Sequence, residues 1–304
     1  MRACLPPLPE LPRAAGAYRW FYADVSAGDY SAVCIFMLGS LFSPRYAVRA
    51  SRGGLPLEHC AVNFALYHRG QRRCWVLSEY PQARVSGGTH LAIGRSQLVR
   101  EPDGSVRMEV DERSAPWGRP VRAQLRLEPL TPPGEEVRLV EGLPHAWQAL
   151  APRARARLQV DGLELEGLGY HDTNHGEEPL GRRLQRWAWT RTHLEDRTLV
   201  DYRLPDGTLA LRLDASERGV SLERHAAPGD GRTGLTGWGL RVPRQLHGGE
   251  AVSPRLLESS PFYARVEARG QGVDALGEVA DFRRFHSPFI RWMAHFRTRV
   301  ERAA

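Results

Sequence analysis

The segment with the greatest chemical potential in this chain is Gly169-Tyr-His-Asp-Thr-Asn-His-Gly-Glu-Glu-Pro-Leu180. On an extended backbone Tyr170, Asp172 and Asn174 point to one face, and His171, Thr173 and His175 to the other. An aspartate set among aromatic neighbours on its own face is a candidate acid, because desolvation disfavours the carboxylate and keeps the proton on. The competing reading is an aspartate that fixes a turn by accepting backbone N–H bonds. Two other pairs repeat this spacing, His145 with Trp147 and Trp187 with Trp189, and each pair shares one face of a strand. His171 and His175 would align as metal ligands on a helix. On a strand their rings lie roughly 13 Å apart, and Gly169 and Gly176 speak against a helix. No metal site is expected, and both histidines are expected to hydrogen-bond neighbouring loops. Glu177 and Glu178, beside Pro179, read as a solvated turn.

The elements that must position these side chains are strands. Ser105 to Val110 alternates apolar and polar residues after the turn Glu101-Pro-Asp-Gly104, and Val121 to Leu127 alternates as well. So does Leu158 to Leu165 around Asp161-Gly162. Thr198 to Leu204 and Thr208 to Leu213 flank Pro205-Asp-Gly207 as a hairpin. Many strands with close turns and few helical windows predict an all-β sandwich or barrel. The prolines between Pro129 and Pro152 place a domain junction near residues 130–155, and Ala226 to Gly239 reads as a long loop. After Ser287-Pro288, Phe289, Met293, Phe296 and Val300 recur at near-helical spacing among Arg291, Arg297, Arg299 and Arg302. This predicts a basic amphipathic helix. Its apolar stripe either packs on the barrel or touches a bilayer.

Composition narrows the chemistry. The chain has 304 residues, 42% of them apolar, and a formal net charge of +7. It contains no lysine, so a Schiff-base or phosphate-loop lysine is ruled out. Its arginines are interleaved with acidic residues, so no nucleic-acid partner is expected. The positive balance suits an anionic membrane surface, or simply reflects arginine-rich codon usage. Cys4, Cys34, Cys60 and Cys74 form no C-x-x-C pair, which disfavours a zinc ribbon and makes a reduced, cytoplasmic protein the expectation. Met1 to Gly16 carries four prolines and makes a poor signal peptide. The longest apolar run, Cys34 to Phe42, falls far short of the roughly 20 residues of a membrane span. No Gly-x-Gly-x-x-Gly is expected to precede a helix, and no Gly-x-Ser-x-Gly nucleophile turn is present.

The segment Gly169 to Leu180, followed by Trp187-Ala-Trp189, resembles the carotenoid 1,2-hydratases (hydroxyneurosporene synthases). So do Gly39-Ser-Leu-Phe-Ser-Pro-Arg-Tyr46 with His59-Cys-Ala-Val-Asn-Phe-Ala-Leu-Tyr67, His145-Ala-Trp147 with Ala151-Pro-Arg-Ala154, and Pro261-Phe-Tyr-Ala-Arg265. The matching stretches run from about Trp20 to Phe296. They depart from the family pattern at His175, where the family carries an aromatic residue. The resemblance implies two lipocalin-like β-barrel or sandwich domains meeting around a cavity. These would be residues 1–150 and residues 151–285, the latter carrying Asp172, followed by a C-terminal helix over 286–304. It also implies a hydro-lyase that needs no cofactor and adds water to the terminal double bond of an acyclic carotenoid. In that reading Asp172 donates the proton, Tyr170 and Trp147 present π faces to the carbocation, and His145 places the water or takes its proton. Trp187, Trp189, Asn174, Phe42 and Tyr46 contact the substrate, and contact with the inner membrane is peripheral. The same scaffold is also compatible with an isoprenoid cyclase or pericyclase, or with a lipocalin-like carrier of pigment or lipid.

Overall fold

The computed structural model describes residues 7–139, 141–204, 210–225, 233–243, 254–270 and 272–301. Its architecture is all-β: a thirteen-stranded sheet faces a seven-stranded one, and a two-stranded ribbon lies apart. The middle of the large sheet runs Gln71–Tyr80, Cys60–His68, Tyr30–Leu38, Tyr18–Ala27, Leu163–Gly176, His145–Val160, all antiparallel neighbours. Beyond it the strands from Pro120–Pro129 back to Ala83–Ser86 curl round. They bring His90–Ile93 and Val106–Arg113 against Cys60–His68 and Gln71–Tyr80. The small sheet is centred on Arg186–His193, flanked by Arg197–Arg203 and Val273–Asp281.

The strand Tyr18–Ala27 shows why the central strands read as unbroken apolar runs rather than as alternation. Phe21, Ala23 and Val25 fill the curled interior of the large sheet, with Phe36, Phe64 and Leu98. Trp20 and Tyr22 point the other way, into the layer between the sheets, with Trp187, Trp189 and Tyr202. Strands covered on both faces lose their polar face. At the edges the alternation survives: Val106–Arg113 buries every second residue. Asp161 and Gly162 take φ of 48° and 85°, the twist that a two-residue hairpin between His145–Val160 and Leu163–Gly176 demands.

Close approach at one glycine sets the position of the strand that carries Asp172, Leu163–Gly176. A Cβ on Gly169 would lie 2.8 Å from the Asp24 carbonyl oxygen and 2.5 Å from the Leu127 side chain. Glycine therefore lets Leu163–Gly176 nest against Tyr18–Ala27. Register shifts between Ala149 and Ala151, and between Ala151 and Ala154, bend the neighbouring strand beside the site.

The expected boundary after residue 150 falls inside the continuous strand His145–Val160. The chain leaves the large sheet only between Gly176 and Arg186, so Asp172 stands on the large sheet. The prolines from 129 to 152 mark a detour over the surface, in which Val137–Arg138 pairs back onto His145–Val160. Proline breaks local pairing and need not separate layers. The expected loop 226–239 is described only from residue 233, where Thr233–Leu235 pairs with Arg241–Pro243. The hairpin tip Pro205–Gly207, Cys4 and Arg302 lie outside the described residues.

The C-terminal helix is Pro288–His295, shorter than expected, and Arg299–Val300 continues as a strand parallel to Gln71–Tyr80. Of the expected stripe, Phe289, Phe296 and Val300 are exposed, and Phe289 and Phe296 pack on Trp292. Ile290 and Ala294, outside that stripe, are the residues that pack on the inter-sheet core. No helix among the described residues is long and apolar enough to cross a membrane.

Candidate active site

Period two along the acid strand aims Tyr170, Asp172 and Asn174 into the layer between the sheets, where all three are buried. Asp172 Oδ2 accepts hydrogen bonds from the Tyr170 hydroxyl at 2.8 Å and from Trp147 Nε1 at 2.9 Å. Asn174 Nδ2 donates to Asp172 Oδ1 at 3.1 Å, and the Tyr202 hydroxyl of the small sheet donates to Asn174 Oδ1 at 3.0 Å. Every partner is neutral. Burial raises the Asp172 pKa to about 8, against the downward pull of the Tyr170 and Trp147 hydrogen bonds, and the negative charges of Glu278 and Asp24 add to the rise. At neutral pH this carboxyl holds its proton.

Asp172 forms part of the wall of a cavity of about 30 Å³, space for one or two water-sized groups. The opposite wall comes from the small sheet: Trp187, Trp189, Tyr202, Tyr263 and Glu278. Trp20 and Tyr22 close it from the large sheet. Aromatic rings make up much of the lining. Trp20 stacks on Trp187 with centroids 6.5 Å apart, Trp187 on Phe282 at 5.1 Å, and Tyr22 meets Trp189 edge-on at 5.1 Å. A second cavity of about 240 Å³ shares Phe42 and Tyr263 with the first, and it is roofed by Ile290, Met293 and Ala294 of the C-terminal helix.

The structure gathers Asp172, Asn174, Trp187, Trp189 and Phe42 around one chamber. Three expectations need correction. Tyr170 and Trp147 lie beside Asp172 and donate to it; they are not on the cavity wall, whose π faces come from other residues. Strand geometry explains the shift, since residues two apart on one face stand side by side. His145 is also off the wall. Its Nδ1 shares a 2.6 Å hydrogen bond with the Tyr18 hydroxyl. Burial lowers its pKa to about 3, so it is a neutral ring. Tyr46 hydrogen-bonds the Ala17 carbonyl and packs 5.2 Å from the His59 ring, pinning the short helix Pro44–Arg49 away from the chamber.

His171 donates from Nδ1 to the Tyr22 carbonyl at 2.7 Å, and His175 meets Glu136 at 3.2 Å. Glu278, Tyr263 and Tyr22 are wall residues that sequence reasoning missed. Glu278 and Tyr263 lie far along the chain from Asp172, and the one available hint was Pro261-Phe-Tyr-Ala-Arg265, which contains Tyr263.

The family model described as carotenoid hydratase CrtC matches residues 34–304. The chain belongs to that family. An acyclic carotenoid 1,2-hydratase of Thiocapsa roseopersicina is 36% identical over 300 residues, covering 93% of this chain and 73% of the relative. One from Rubrivivax gelatinosus is 32% identical over 286 residues, covering 88% and 68%. Among solved structures, an AttH-type protein of Nitrosomonas europaea superposes with a TM-score of 0.61 at 17% identity, covering 91% of this chain and 99% of that one. That likeness bears on the fold, and the fold is the lipocalin-like one the CrtC resemblance implied.

Proposed function

We propose that this CrtC-family chain adds water across the terminal double bond of an acyclic carotenoid, giving a tertiary alcohol. The observation that carries the reading is a carboxyl kept protonated at neutral pH on the wall of a small, buried, aromatic-lined chamber. Hydration of a trisubstituted alkene starts with proton transfer to the less substituted carbon and leaves a tertiary carbocation. That step needs an undissociated acid and a site that excludes bulk water. Asp172 supplies the proton from Oδ1. The charge it acquires is met at Oδ2 by two donors already in place, Tyr170 and Trp147, so the acid strengthens as it reacts. The faces of Trp187, Trp189 and Trp20 stabilise the cation, each by about 0.5–2 kcal/mol. Water then captures the cation, and no electron leaves or enters.

The larger cavity takes the chain behind the reacting end. At about 240 Å³ it is smaller than the roughly 300–1,000 Å³ of a site that encloses a drug-sized ligand. Only a segment of a long polyene fits, and the rest projects past the helix Pro288–His295. There the exposed Phe289, Trp292 and Phe296 suit peripheral contact with a bilayer in which such a substrate dissolves.

The test is turnover of lycopene or neurosporene in ¹⁸O-labelled water. The expected result is a more polar pigment carrying one labelled oxygen, and a loss of at least about a thousandfold in folded Asp172→Asn. A rearranged product without oxygen would make the protein a cyclase, and a bound, unchanged pigment would make it a carrier. Near-normal turnover by Asp172→Asn removes that residue from the acid role.

A further inference from the structure

Three polar groups on the chamber wall are buried and yet make no hydrogen bond: the Tyr22 hydroxyl, the Tyr263 hydroxyl and Trp189 Nε1. Their residues are only 3%, 8% and 4% exposed. Leaving such a group unpaired costs about 1–3 kcal/mol, so three converging on one small space point to a ligand with hydrogen-bonding capacity there. Tyr263 faces Glu278, and Tyr22 faces Asp24, without bonding either in good geometry. Glu278 is the other acidic residue on this wall. Its Oε1 is held at 3.0 Å by Nε of the fully buried Arg265, which also bonds Glu258 and the Tyr67 hydroxyl. It reaches the chamber from the small sheet, whereas Asp172 reaches it from the large one.

We infer that Tyr22, Tyr263, Trp189 and Glu278 form the nucleophile site of the reaction, holding the attacking water across the chamber from Asp172, with Glu278 as the base that takes its proton. The inference rests on the hydratase reading and goes beyond it by naming the water site. The steps balance. The Asp172 O–H bond breaks as the alkene π pair forms a C–H bond. A lone pair of the water then forms the C–O bond to the tertiary cation. The oxonium proton passes to Glu278, and transfer from Glu278 back to Asp172 through the next water restores the starting state. The charges favour this direction. The negative charge of Glu278 raises the proton affinity of Asp172, which draws the proton back to Asp172 at the end of the cycle. His145 cannot serve here, being off the wall and hydrogen-bonded to Tyr18.

Two readouts in D₂O separate water capture from protonation: formation of the alcohol, and deuterium in recovered alkene. Cation formation followed by proton loss returns labelled substrate. Folded Glu278→Gln is expected to lower hydration about a hundredfold or more while deuterium exchange persists. Tyr263→Phe removes a hydroxyl that has no partner, so its fold survives, and hydration falls about three- to tenfold with exchange unchanged. Wild-type hydration by Glu278→Gln overturns the site. So does loss of hydration and exchange together in that folded variant, because the residue then serves the acid. Should Glu278→Gln not fold, wild-type hydration by Tyr263→Phe overturns it. A wild-type protein that neither hydrates nor exchanges sinks the hydratase reading itself, and the water site with it.

Discussion

Asp24 and Asp172 lie on adjacent strands, with Tyr22 paired to Asp172 and Asp24 paired to Tyr170, and the protein buries both. Desolvation pushes both carboxyls upward. At Asp24 it is opposed by the guanidinium of Arg191, whose Nη2 lies 2.6 Å away. Although burial opposes it, Arg191 is pushed still higher by Asp24 and Asp274, so this pair stays ionic. At Asp172 the opposition comes from neutral donors alone, and the proton stays on. The difference teaches that burial alone does not make a catalytic acid. A buried carboxyl with a counter-charge is a fastener between the sheets. The same carboxyl without one keeps a proton, as the proposed acid must.

The hardest blow to the comparison is to remove the counter-charge. Arg191→Met leaves Asp24 buried and unpaired, and unfolding by denaturant is expected to show a loss of about 3–5 kcal/mol, most of it recovered in the double variant with Asp24→Leu. A loss well below this range would mean that Asp24 needs no partner.

Next comes linkage at Asp172. The folded carboxyl binds its proton up to about pH 8, whereas the unfolded one releases it near about 3.9. The stability it contributes is therefore complete below the unfolded value and lost as pH rises toward 8, at about 1.4 kcal/mol per pH unit. Asp172→Asn should remove that slope and be the more stable protein at neutral pH, as denaturation at a series of pH values would show. Hydration by the unmodified protein should fall as pH rises through about 8.

A smaller effect sharpens the role of the neutral donors. Tyr170→Phe withdraws one hydrogen bond from Oδ2, so the Asp172 pKa should climb further and the alkaline limb of the pH–rate profile move up. At neutral pH turnover should drop about tenfold, the equivalent of one net hydrogen bond. An unshifted limb would show that the hydroxyl does not tune the acid. The smallest effect is expected at Tyr46, whose hydroxyl only bonds the Ala17 carbonyl. Tyr46→Phe should cost about 1 kcal/mol of stability and change kcat/KM by less than about twofold.

Most of the strand pattern and the central acid strand were legible in the chain. Period two placed Tyr170, Asp172 and Asn174 together, because that relation is local and survives any packing of the strand. The readings that went astray depended on what lies opposite. Whether Trp147 offers its ring face or its N–H to Asp172 depends on a neighbouring strand bent by irregular register. His145 and Tyr46 were placed by resemblance at the chamber, and their own partners, Tyr18 and Ala17, hold them elsewhere. The C-terminal stripe reads as Phe289, Met293, Phe296 and Val300, and the structure leaves Phe289 and Phe296 exposed because Ile290 and Ala294, outside that stripe, meet the core instead.

By itself, then, the sequence determined the β architecture, the side of the strand on which the acid stands, and the exclusion of lysine chemistry. These follow from residue identity and backbone periodicity alone. Only the tertiary structure decided that Asp172 is a neutral acid while Asp24 is half of an ion pair, and that Glu278 and Tyr263 face Asp172 across the chamber. A carboxyl's proton affinity depends on the water it has lost and the charges that surround it, and both are set by strands that come together only when the two sheets pack.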